Sequence, residues 1–406
     1  MKIKLGLLWL IIFGTRLLLF SQTDHSGISA NSRDTIIIRN QKDTVKQTDL
    51  IDFFVKTFKI KTNEAYRDQR KIRFSLFPTQ SGTSGTKTVV TTFNISFRAG
   101  EPQNTNISTI YFIPYLSFSN QYGFQMQSNI WLRKNSWNFT GEYFILNFPQ
   151  YTWGLGGNSP DSIKTLVDGK QVRFYQNALI KLIPNLAVGI GYALDVHYSM
   201  NPEIKQSIQI PDFKTQTISS GITLPVIYDS RRNSNNPEQG TLASLNYSVY
   251  DKTLGSTFDW QSLFCDLRTY LPVGADRRNI LAFRSFYWTI LSGHGPYLDQ
   301  PSTRWEPAAG SASRGIQQGR YRSNAILYGE SEFRFGISAN GLWGGVLFAN
   351  VTAPSEYGTQ NFEYWHPAGG AGIRLKFNKY SRTNITLDYG MSKDYWSFYI
   401  NIGEAF

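Results

Sequence analysis

The last stretch of the chain, Trp396–Phe406, reads WSFYINIGEAF and begins with a strict alternation of side chains. Successive side chains of a β-strand point to opposite faces, so this alternation gives the segment one apolar face. That face consists of Trp396, Phe398, Ile400 and Ile402. The same period of two recurs upstream, for instance in Thr241–Tyr250 and in Asn384–Gly390. The pattern predicts β-strands that are apolar on one side only.

Segments of this kind, separated by turn residues, continue from about residue 88 to the C-terminus. Fifteen are visible: Val89–Arg98, Ile110–Ser119, Gly123–Arg133, Trp137–Asn147, Val172–Ile183, Leu186–Ser199, Thr217–Asp229, Thr241–Tyr250, Thr257–Leu271, Ile280–Leu291, Ala325–Phe335, Leu342–Val351, Gly370–Phe377, Asn384–Tyr389 and Trp396–Ile402. A sixteenth, weak strand is expected around Thr152–Ser159, because a barrel with both chain ends on one side of a membrane needs an even number of strands. The sequence therefore predicts an all-β fold, a transmembrane antiparallel β-barrel of 16 strands over residues 87–406.

A soluble β-sandwich shows the same period with its apolar faces turned inward, so composition has to decide. Aromatic residues make up 15% of the chain and charged residues only 17%, which favours strands that face lipid. The single cysteine, Cys265, excludes an internal disulfide, and the four histidines show no metal-ligand spacing. The composition thus favours the membrane barrel.

Residues 1–22 have the features of a secretory signal peptide. Lys2 and Lys4 precede the apolar run Leu5–Gly14. The alternative is a membrane-anchor helix, but Arg16 leaves the run shorter than the roughly 20 apolar residues that cross a bilayer. Export from the cytoplasm is therefore expected.

Residues 23–86 are predicted to form a short periplasmic segment with one amphipathic helix near residues 48–61, capped by Thr48. Three positions remain open for this helix: packed on the body of the protein, at the inner surface of the membrane, or inside the lumen. Within the barrel, the connection 292–323 is longer than ordinary loops, which suggests a functional role.

The C-terminal segment has a second notable property, its aromatic last residue. A final strand with alternate apolar residues and a terminal phenylalanine is typical of bacterial outer-membrane barrels. We therefore predict a C-terminal assembly strand that presents apolar residues to lipid and is free to pair with an assembly machine. Its residues are Phe398, Ile400, Ile402 and Phe406.

Three segments, in order along the chain, carry a resemblance to a known family. The first is Tyr228–Asn233, YDSRRN, which runs on to Asn236–Gly240, NPEQG. The second is Ser313–Ile316, SRGI, inside the long loop, and the third is the C-terminal segment from Leu387. In this order and spacing they resemble the BamA/TamA outer-membrane assembly superfamily, the Omp-eighty-five type.

The first segment looks like the family's turn between its eighth and ninth strands. The matching residues are Asp229, Arg231, Asn233, Pro237 and Gly240. Their chemistry alone already predicts a turn, because proline fixes φ and glycine accepts positive φ. A purely structural role is therefore an open alternative.

The second segment looks like the tip of the family's sixth outer loop, with Arg314, Gly315 and, where an aromatic residue is usual, Ile316. The resemblance implies that this loop folds back into the lumen and that its arginine pairs with acidic groups of the next two strands. Glu332 stands where the family has a glutamate, and Asn350 where it usually has an aspartate. We therefore expect Arg314–Glu332 as the main ion pair, with only a neutral hydrogen bond from Asn350. On charge alone, a solvated outer loop that touches anionic lipopolysaccharide is the alternative.

No catalytic constellation, phosphate-binding loop or metal cluster stands out, so we expect no enzyme activity, no cofactor and no metal. The formal net charge of +12 could suit nucleic acid, but an exported chain with dispersed lysines does not. The resemblance implies a barrel of the surface-antigen type in a Gram-negative outer membrane, with its N-terminus in the periplasm. Residues 23–86 are too short for the family's periplasmic polypeptide-transport modules, so a member that lacks them is expected.

The leading functional hypothesis is assistance in the insertion or translocation of proteins, or of lipid, through a weak seam between Val89–Arg98 and Trp396–Phe406. The alternatives are a passive pore and a structural barrel subunit of a larger envelope complex. The expected partners are outer-membrane lipid and lipopolysaccharide, together with client polypeptides or envelope-complex subunits, and no nucleic acid.

Overall fold

The fold is known from a computed structural model of the chain. It describes residues 35–36, 45–57, 72–80, 89–101, 104–116, 121–203, 213–274, 276–305, 312–379 and 382–406. The predicted signal peptide, residues 1–22, lies outside these ranges. Among the described residues, no helix is long and apolar enough to cross a bilayer.

Sixteen antiparallel strands form one sheet that curls into a barrel. In chain order they are β1 (Ile72–Gln80), β2 (Val89–Phe97), β3 (Ser108–Leu116), β4 (Tyr122–Trp131), β5 (Trp137–Asn147), β6 (Thr165–Ile183), β7 (Leu186–Pro202), β8 (Thr217–Asp229), β9 (Gly240–Tyr250), β10 (Trp260–Pro272), β11 (Ile280–Gly293), β12 (Ala325–Gly336), β13 (Trp343–Pro354), β14 (His366–Asn378), β15 (Thr383–Met391) and β16 (Trp396–Ile402). A short segment, Gln150–Thr152, continues β5 alongside β6. Apart from the barrel, Thr35–Ile36 pairs with Val45–Lys46.

Neighbouring strands are paired at seven or more positions, except β2 with β3, which pair at five, and the first and last strands, which meet at a seam. β12 and β13, for example, are paired without interruption from Ile326 and Pro354 to Gly336 and Gly344. Within the described residues, β16 and β1 pair at a single position, Ile400 opposite Gln80. Among the described residues, the seam is therefore where two neighbouring strands share the fewest paired positions.

The two faces of the sheet differ sharply in polarity. Large apolar side chains on the outer face are exposed, among them Leu224, Leu347 and Phe398. Charged side chains on the inner face are almost fully buried, as Glu332 and Asp388 show. A soluble sandwich would hide its apolar face, so this arrangement confirms the predicted barrel with an apolar exterior and a polar lumen.

The number of strands agrees with the sequence prediction, but one of them lies elsewhere. Thr152–Ser159 is not the sixteenth strand: only Gln150–Thr152 pairs with β6, and the glycine-rich residues that follow form a loop. The missing strand is β1, so the barrel begins at Ile72, before the predicted boundary at residue 87. The predicted periplasmic segment 23–86 is correspondingly shorter.

The turns explain why the chain folds back so regularly. β6 and β7 are joined by Pro184 and Asn185 alone, and Asn185 has φ +67°, a conformation that asparagine tolerates in tight hairpins. Because successive strands run in opposite directions, this turn lies at the same end as the β8–β9, β12–β13 and β14–β15 turns. The long β11–β12 loop lies at the other end.

The predicted helix is present as α1 (Leu50–Thr57), at the end of the barrel that carries the short turns. Its N-cap is Asp49, not Thr48: Asp49 Oδ1 accepts from the backbone N–H of Asp52, and Asp52 Oδ2 accepts from that of Asp49. Asp49 also accepts from the backbone N–H of Lys379, whose Nζ lies 3.1 Å from Asp52 Oδ2. Of the three positions left open by the sequence, these contacts favour packing on the body of the protein.

Candidate functional site in the barrel lumen

The long loop between β11 and β12 folds into the lumen, and its tip carries Arg314. This arginine is fully buried, with no exposed surface. Its Nη2 contacts Oε1 of Glu330 at 2.5 Å and Oε1 of Glu332, and its Nη1 lies 2.5 Å from Oδ2 of Asp388. We call these four residues the Arg314 cluster. They join the loop to two strands, β12 and β15.

A charge buried this deeply requires partners, because removing it from water is expensive. Burial would lower the pKa of Arg314, but the three carboxylates outweigh this effect and raise its pKa well above the usual value. The guanidinium carbon also lies 3.7 Å from the centre of the Phe348 ring, a cation–π contact. The charged form of Arg314 is therefore the one that the lumen holds.

The backbone of the loop tip is fixed as firmly as the side chain. The N–H of Ser313 donates to Tyr328 Oη and the N–H of Gly315 to Tyr399 Oη, both at 2.9 Å. Gly315 has φ +89°, and a Cβ there would lie 2.8 Å from the backbone of Met391. Only glycine fits this position, for its conformation and for the close approach of β15.

The base of the loop is attached to the opposite side of the barrel. Asp299 accepts from Ser219 Oγ at 2.5 Å and lies 2.6 Å from His197 Nε2, which ties the loop to β8 and β7. Burial would raise the pKa of Asp299, but His197 and the hydrogen bonds lower it. Further along, Arg322 donates to the carbonyl oxygens of Tyr297 and Leu298 at 2.9 and 2.8 Å. The loop thus crosses the lumen with anchors on both walls.

Comparison with known proteins gives a likeness of structure alone. No protein-family model and no curated protein matches the sequence. The structure is similar to that of BamA from Haemophilus ducreyi lacking POTRA domains 1-3, with a TM-score of 0.52 over 82% of this chain and 69% of that chain, at 10% identity. It is also similar to CdiB from Escherichia coli, with a TM-score of 0.53, 83% and 63% coverage and 11% identity. It is similar as well to CdiB from Acinetobacter baumannii, with a TM-score of 0.52 over 83% of this chain and 60% of that chain, at 12% identity.

The chain has the barrel fold of BamA and CdiB. It spans less than two thirds of the length of the two CdiB chains. Among the described residues, only the short pairing of Thr35–Ile36 with Val45–Lys46 and helix α1 precede this BamA-type barrel.

Within the BamA-type barrel, the structure brings the predicted loop residues together but adds two partners. Arg314 contacts Glu332, as the sequence predicted. Asn350 donates from Nδ2 to the backbone oxygen of Arg314 at 3.0 Å, so its neutral hydrogen bond goes to the main chain. Glu330 and Asp388 were missed. Both lie on the polar faces of predicted strands. Asp388, however, is on β15, beyond the two strands after the loop that the resemblance implies as partners of Arg314.

The predicted turn residues lie at the opposite end of the lumen from the long loop. Arg231 donates two hydrogen bonds to Asp229, at 2.9 and 2.8 Å, and Asn233 Oδ1 accepts from the backbone N–H of Asn235. Pro237 is buried, and Gly240 has φ +102°. Two contacts join this turn to the β14–β15 turn: Glu238 with Arg382 at 2.7 Å, and Asn236 with the Arg382 carbonyl. These contacts hold the β8–β9 and β14–β15 turns together at this end of the barrel.

The C-terminal prediction needs one correction. Phe398 is exposed on the outer face of β16, and Ile400 and Ile402 lie on the same face. Phe406 is not part of the strand: the strand ends at Ile402, Gly403 turns the chain with φ +91°, and Phe406 is buried in the lumen beside Tyr270. Beyond Gly403 the chain is no longer a strand, so the alternation of side chains between the two faces of the sheet does not apply to Phe406.

The C-terminal tail, residues 403–406, joins the same ionic network as the loop. Glu404 lies 2.7 Å from Arg374 Nε, and Arg374 also contacts Asp388. Arg334 donates to Glu332 at 2.8 Å and to the carbonyl oxygen of Phe406 at 2.9 Å. The loop tip, three strands and the tail are thereby connected through alternating charges.

Proposed function

We propose that the chain is an outer-membrane barrel that assists the insertion or translocation of polypeptides, or of lipid, through the seam between β1 and β16. The observation that carries this proposal is that, within the described residues, the two seam strands pair at one position, Ile400 with Gln80. Strand edges with unpaired N–H and C=O groups are templates for another strand. A client strand could pair there and then be released into the membrane. The sequence pattern predicts Val89–Arg98 as the first strand of this seam. In the structure the first strand is instead β1, Ile72–Gln80.

The outer-membrane location rests on two supports. Large side chains exposed on the outer face are apolar, as lipid requires, and each strand between β1 and β16 is hydrogen-bonded to both of its neighbours. The fold is also shared with BamA and CdiB. With the short turns facing the periplasm, α1 and the N-terminus lie on the periplasmic side, and the long loop enters from outside.

The Arg314 cluster would hold the shape of the barrel while the seam opens. It connects the loop to β12 and β15, and the tail connects it to β16 through Glu404 and Arg374. A loop fixed across the lumen in this way argues against a wide passive pore. Lipid, lipopolysaccharide and client polypeptides are the partners that this mechanism needs.

A disulfide across the seam tests the proposal. In a Cys265→Ala background, Gln80→Cys and Ile400→Cys place cysteines at the position where the described residues of the two seam strands pair. The barrel, reconstituted in liposomes, should accelerate the folding of a denatured eight-stranded client barrel. The folding of the client is measured by the heat-dependent change of its mobility in gel electrophoresis. Oxidation should abolish this acceleration, and reduction should restore it.

The matched control is a disulfide inside the sheet, between Leu347→Cys and Ala371→Cys on β13 and β14. It crosslinks two strands that are already paired, so activity should persist in both redox states. Full activity with the seam oxidised would exclude the seam mechanism. Client folding at the protein-free rate with the reduced barrel would exclude the proposed function itself.

A further inference from the structure

The last strand, β16, is held differently on its two sides. It pairs with β15 along its whole length, at seven positions. Its other edge pairs with β1, within the described residues, only at Ile400. After Ile402 the chain turns at Gly403, and the C-terminal tail runs into the lumen. The contacts of the tail are therefore a third attachment of β16, beside β15 and the seam.

The carboxylate of the tail is bound by the inner wall of the barrel. Glu404 lies 2.7 Å from Nε of Arg374 on β14 and 3.9 Å from Nε of Arg334 on β12. It also accepts a hydrogen bond of 2.6 Å from Nδ2 of Asn384 on β15. Burial would raise the pKa of Glu404, but the two arginines outweigh this effect and lower it. The wall thus holds Glu404 in its charged form.

The last residue reaches further around the wall. The ring centre of Phe406 lies 6.2 Å from that of Tyr270 on β10, and the backbone oxygen of Phe406 accepts from Nη2 of Arg334 at 2.9 Å. Ala405 and Phe406 also pack in one apolar cluster with residues of β10 and β11. The tail therefore connects the end of β16 to strands as distant as β10.

These contacts oppose any movement of β16 out of the sheet. An outward movement would withdraw Glu404 from its two arginines and Phe406 from the apolar cluster. Both changes cost free energy, because a buried ion pair is broken and an aromatic ring is exposed. The tail thus favours the position of β16 beside β1.

The wall itself does not depend on the tail for its charge balance. Without Glu404, Arg374 still contacts Asp388. Arg334 likewise keeps its contact with Glu332, at 2.7 Å. The barrel can therefore remain folded with the tail either seated or withdrawn.

We propose that the C-terminal tail is a latch on the seam. Seated in the lumen, it keeps β16 beside β1; withdrawn, it leaves β16 free to move and the seam free to open. The proposal rests on the function proposed above, which assigns the seam to the entry of clients. It adds that the contacts of the tail, and not only the pairing between β1 and β16, control how often the seam opens.

Distances across the seam test the latch without any client. They are measured by double electron–electron resonance between two spin labels on the full-length barrel in liposomes. In a Cys265→Ala background, the labels are attached at Leu116→Cys on β3 and Leu387→Cys on β15, where both leucines are exposed. Four strand spacings separate the two strands through the seam, about 19 Å along the sheet. The parent chain should show mainly this short distance.

Two substitutions in the tail should open the seam. Glu404→Gln keeps the shape of the side chain but removes its charge, and Phe406→Ala removes the ring from the apolar cluster. Each should raise the fraction of longer distances by about fivefold or more. The matched control is Glu238→Gln, which removes a carboxylate at the same end of the barrel from a pair with Arg382. Its distances should equal those of the parent chain.

A second pair of labels distinguishes seam opening from a general loosening of the sheet. Phe283→Cys on β11 and Leu387→Cys are also four strand spacings apart, but the seam does not lie between them. Phe283 is exposed on the outer face as well. The distance between these labels should be the same in the parent chain and in every variant.

Two results would overturn the proposal. One is an unchanged distance across the seam in both Glu404→Gln and Phe406→Ala, and the other is an equal change for both pairs of labels. The assay of client folding separates the latch from the proposed function. Opening of the seam in the tail variants, with no acceleration of client folding by any variant or by the parent chain, would support the latch and exclude the proposed function.

Discussion

The two sides of the lumen are lined by different kinds of polar group. Around Arg314 three carboxylates contact one guanidinium group, and the loop tip fits β15 so closely that a Cβ at Gly390 would lie 2.8 Å from the Gly315 nitrogen. On the other side lies a cavity lined by β6 to β11 and the base of the long loop, where Arg173 pairs with Asp195 and most of the other side chains are neutral. Ion pairs dominate the first side, and neutral polar and aromatic side chains dominate the second.

This difference determines how much each side depends on charge pairing. A paired buried charge becomes costly when either partner is lost, so the Arg314 cluster holds one arrangement of loop and strands. The cavity wall has two comparable pairs, Arg173 with Asp195 and His197 with Asp299, among neutral side chains. Substitutions of charged residues should therefore cost the most stability around Arg314.

The largest effect is expected from Arg314→Ala. It leaves Glu330, Glu332 and Asp388 buried without their shared counter-charge, which should lower the free energy of unfolding by about 3–5 kcal/mol. Urea unfolding in detergent, followed by tryptophan fluorescence, measures this change. The matched control is Arg320→Ala in the same loop, where the arginine donates to the Ser159 carbonyl; about 1 kcal/mol is expected. Equal effects of the two substitutions would contradict the assignment.

A smaller effect should follow from Gly315→Ala. The new methyl group would meet the Met391 backbone and adopt positive φ, whereas at Gly358, with φ +72°, it would meet nothing within 4 Å. In Gly315→Ala and in Gly358→Ala alike, positive φ should lower the free energy of unfolding by about 1–2 kcal/mol. Gly315→Ala should lower it by about 1–3 kcal/mol more than Gly358→Ala, because only there does the methyl group meet closely packed backbone. Equal midpoints of urea unfolding would show that the tip does not pack on β15.

An aspartate at position 350, the residue that the resemblance led us to expect there, should destabilise this barrel. Asn350→Asp loses the hydrogen bond to the Arg314 carbonyl and adds a fourth carboxylate to the cluster, so a loss of about 1–2 kcal/mol is expected. The control, Asn185→Asp in the exposed β6–β7 turn, should change the unfolding midpoint little. A stabilised Asn350→Asp variant would mean that the cluster lacks negative charge.

The smallest effect tests the independence of the two sides. Arg173→Ala breaks the pairing with Asp195 on the cavity side. Because Arg173 and Arg314 share no partner, the double variant with Arg314→Ala should equal the sum of the single effects within about 0.5 kcal/mol. A larger coupling energy in this double-mutant cycle would show that the two sides form one network.

The sequence could predict those features that depend on local pattern. Alternation predicts most strands, and the resemblance carried in part by the SRGI segment implies the loop tip and its contact with Glu332. β1 was missed because IRFSLFPTQ contains Pro78, which donates no hydrogen bond and is tolerated in strands mainly at edges. Its place beside the weak seam explains that tolerance.

The remaining differences depend on contacts between distant residues. Asp388 reaches Arg314 from β15 only because of the curvature and register of the sheet, which no local pattern encodes. Phe406 enters the lumen because Gly403 turns the chain and Arg334 and Tyr270 receive it. The cavity is likewise formed by the curvature of six consecutive strands, β6 to β11, and by the base of the loop that follows them.

The most direct test of the central claim, that the loop tip is fixed inside the lumen, is a disulfide between loop and wall. Ser313 Oγ and Thr352 Oγ1 are 3.1 Å apart, so Ser313→Cys with Thr352→Cys in a Cys265→Ala background should crosslink almost completely in the folded barrel. Pairing Ser313→Cys with Thr223→Cys, on the cavity side, should give no crosslink. A free cysteine at position 313 that reacts readily with an impermeant maleimide added outside would contradict the account.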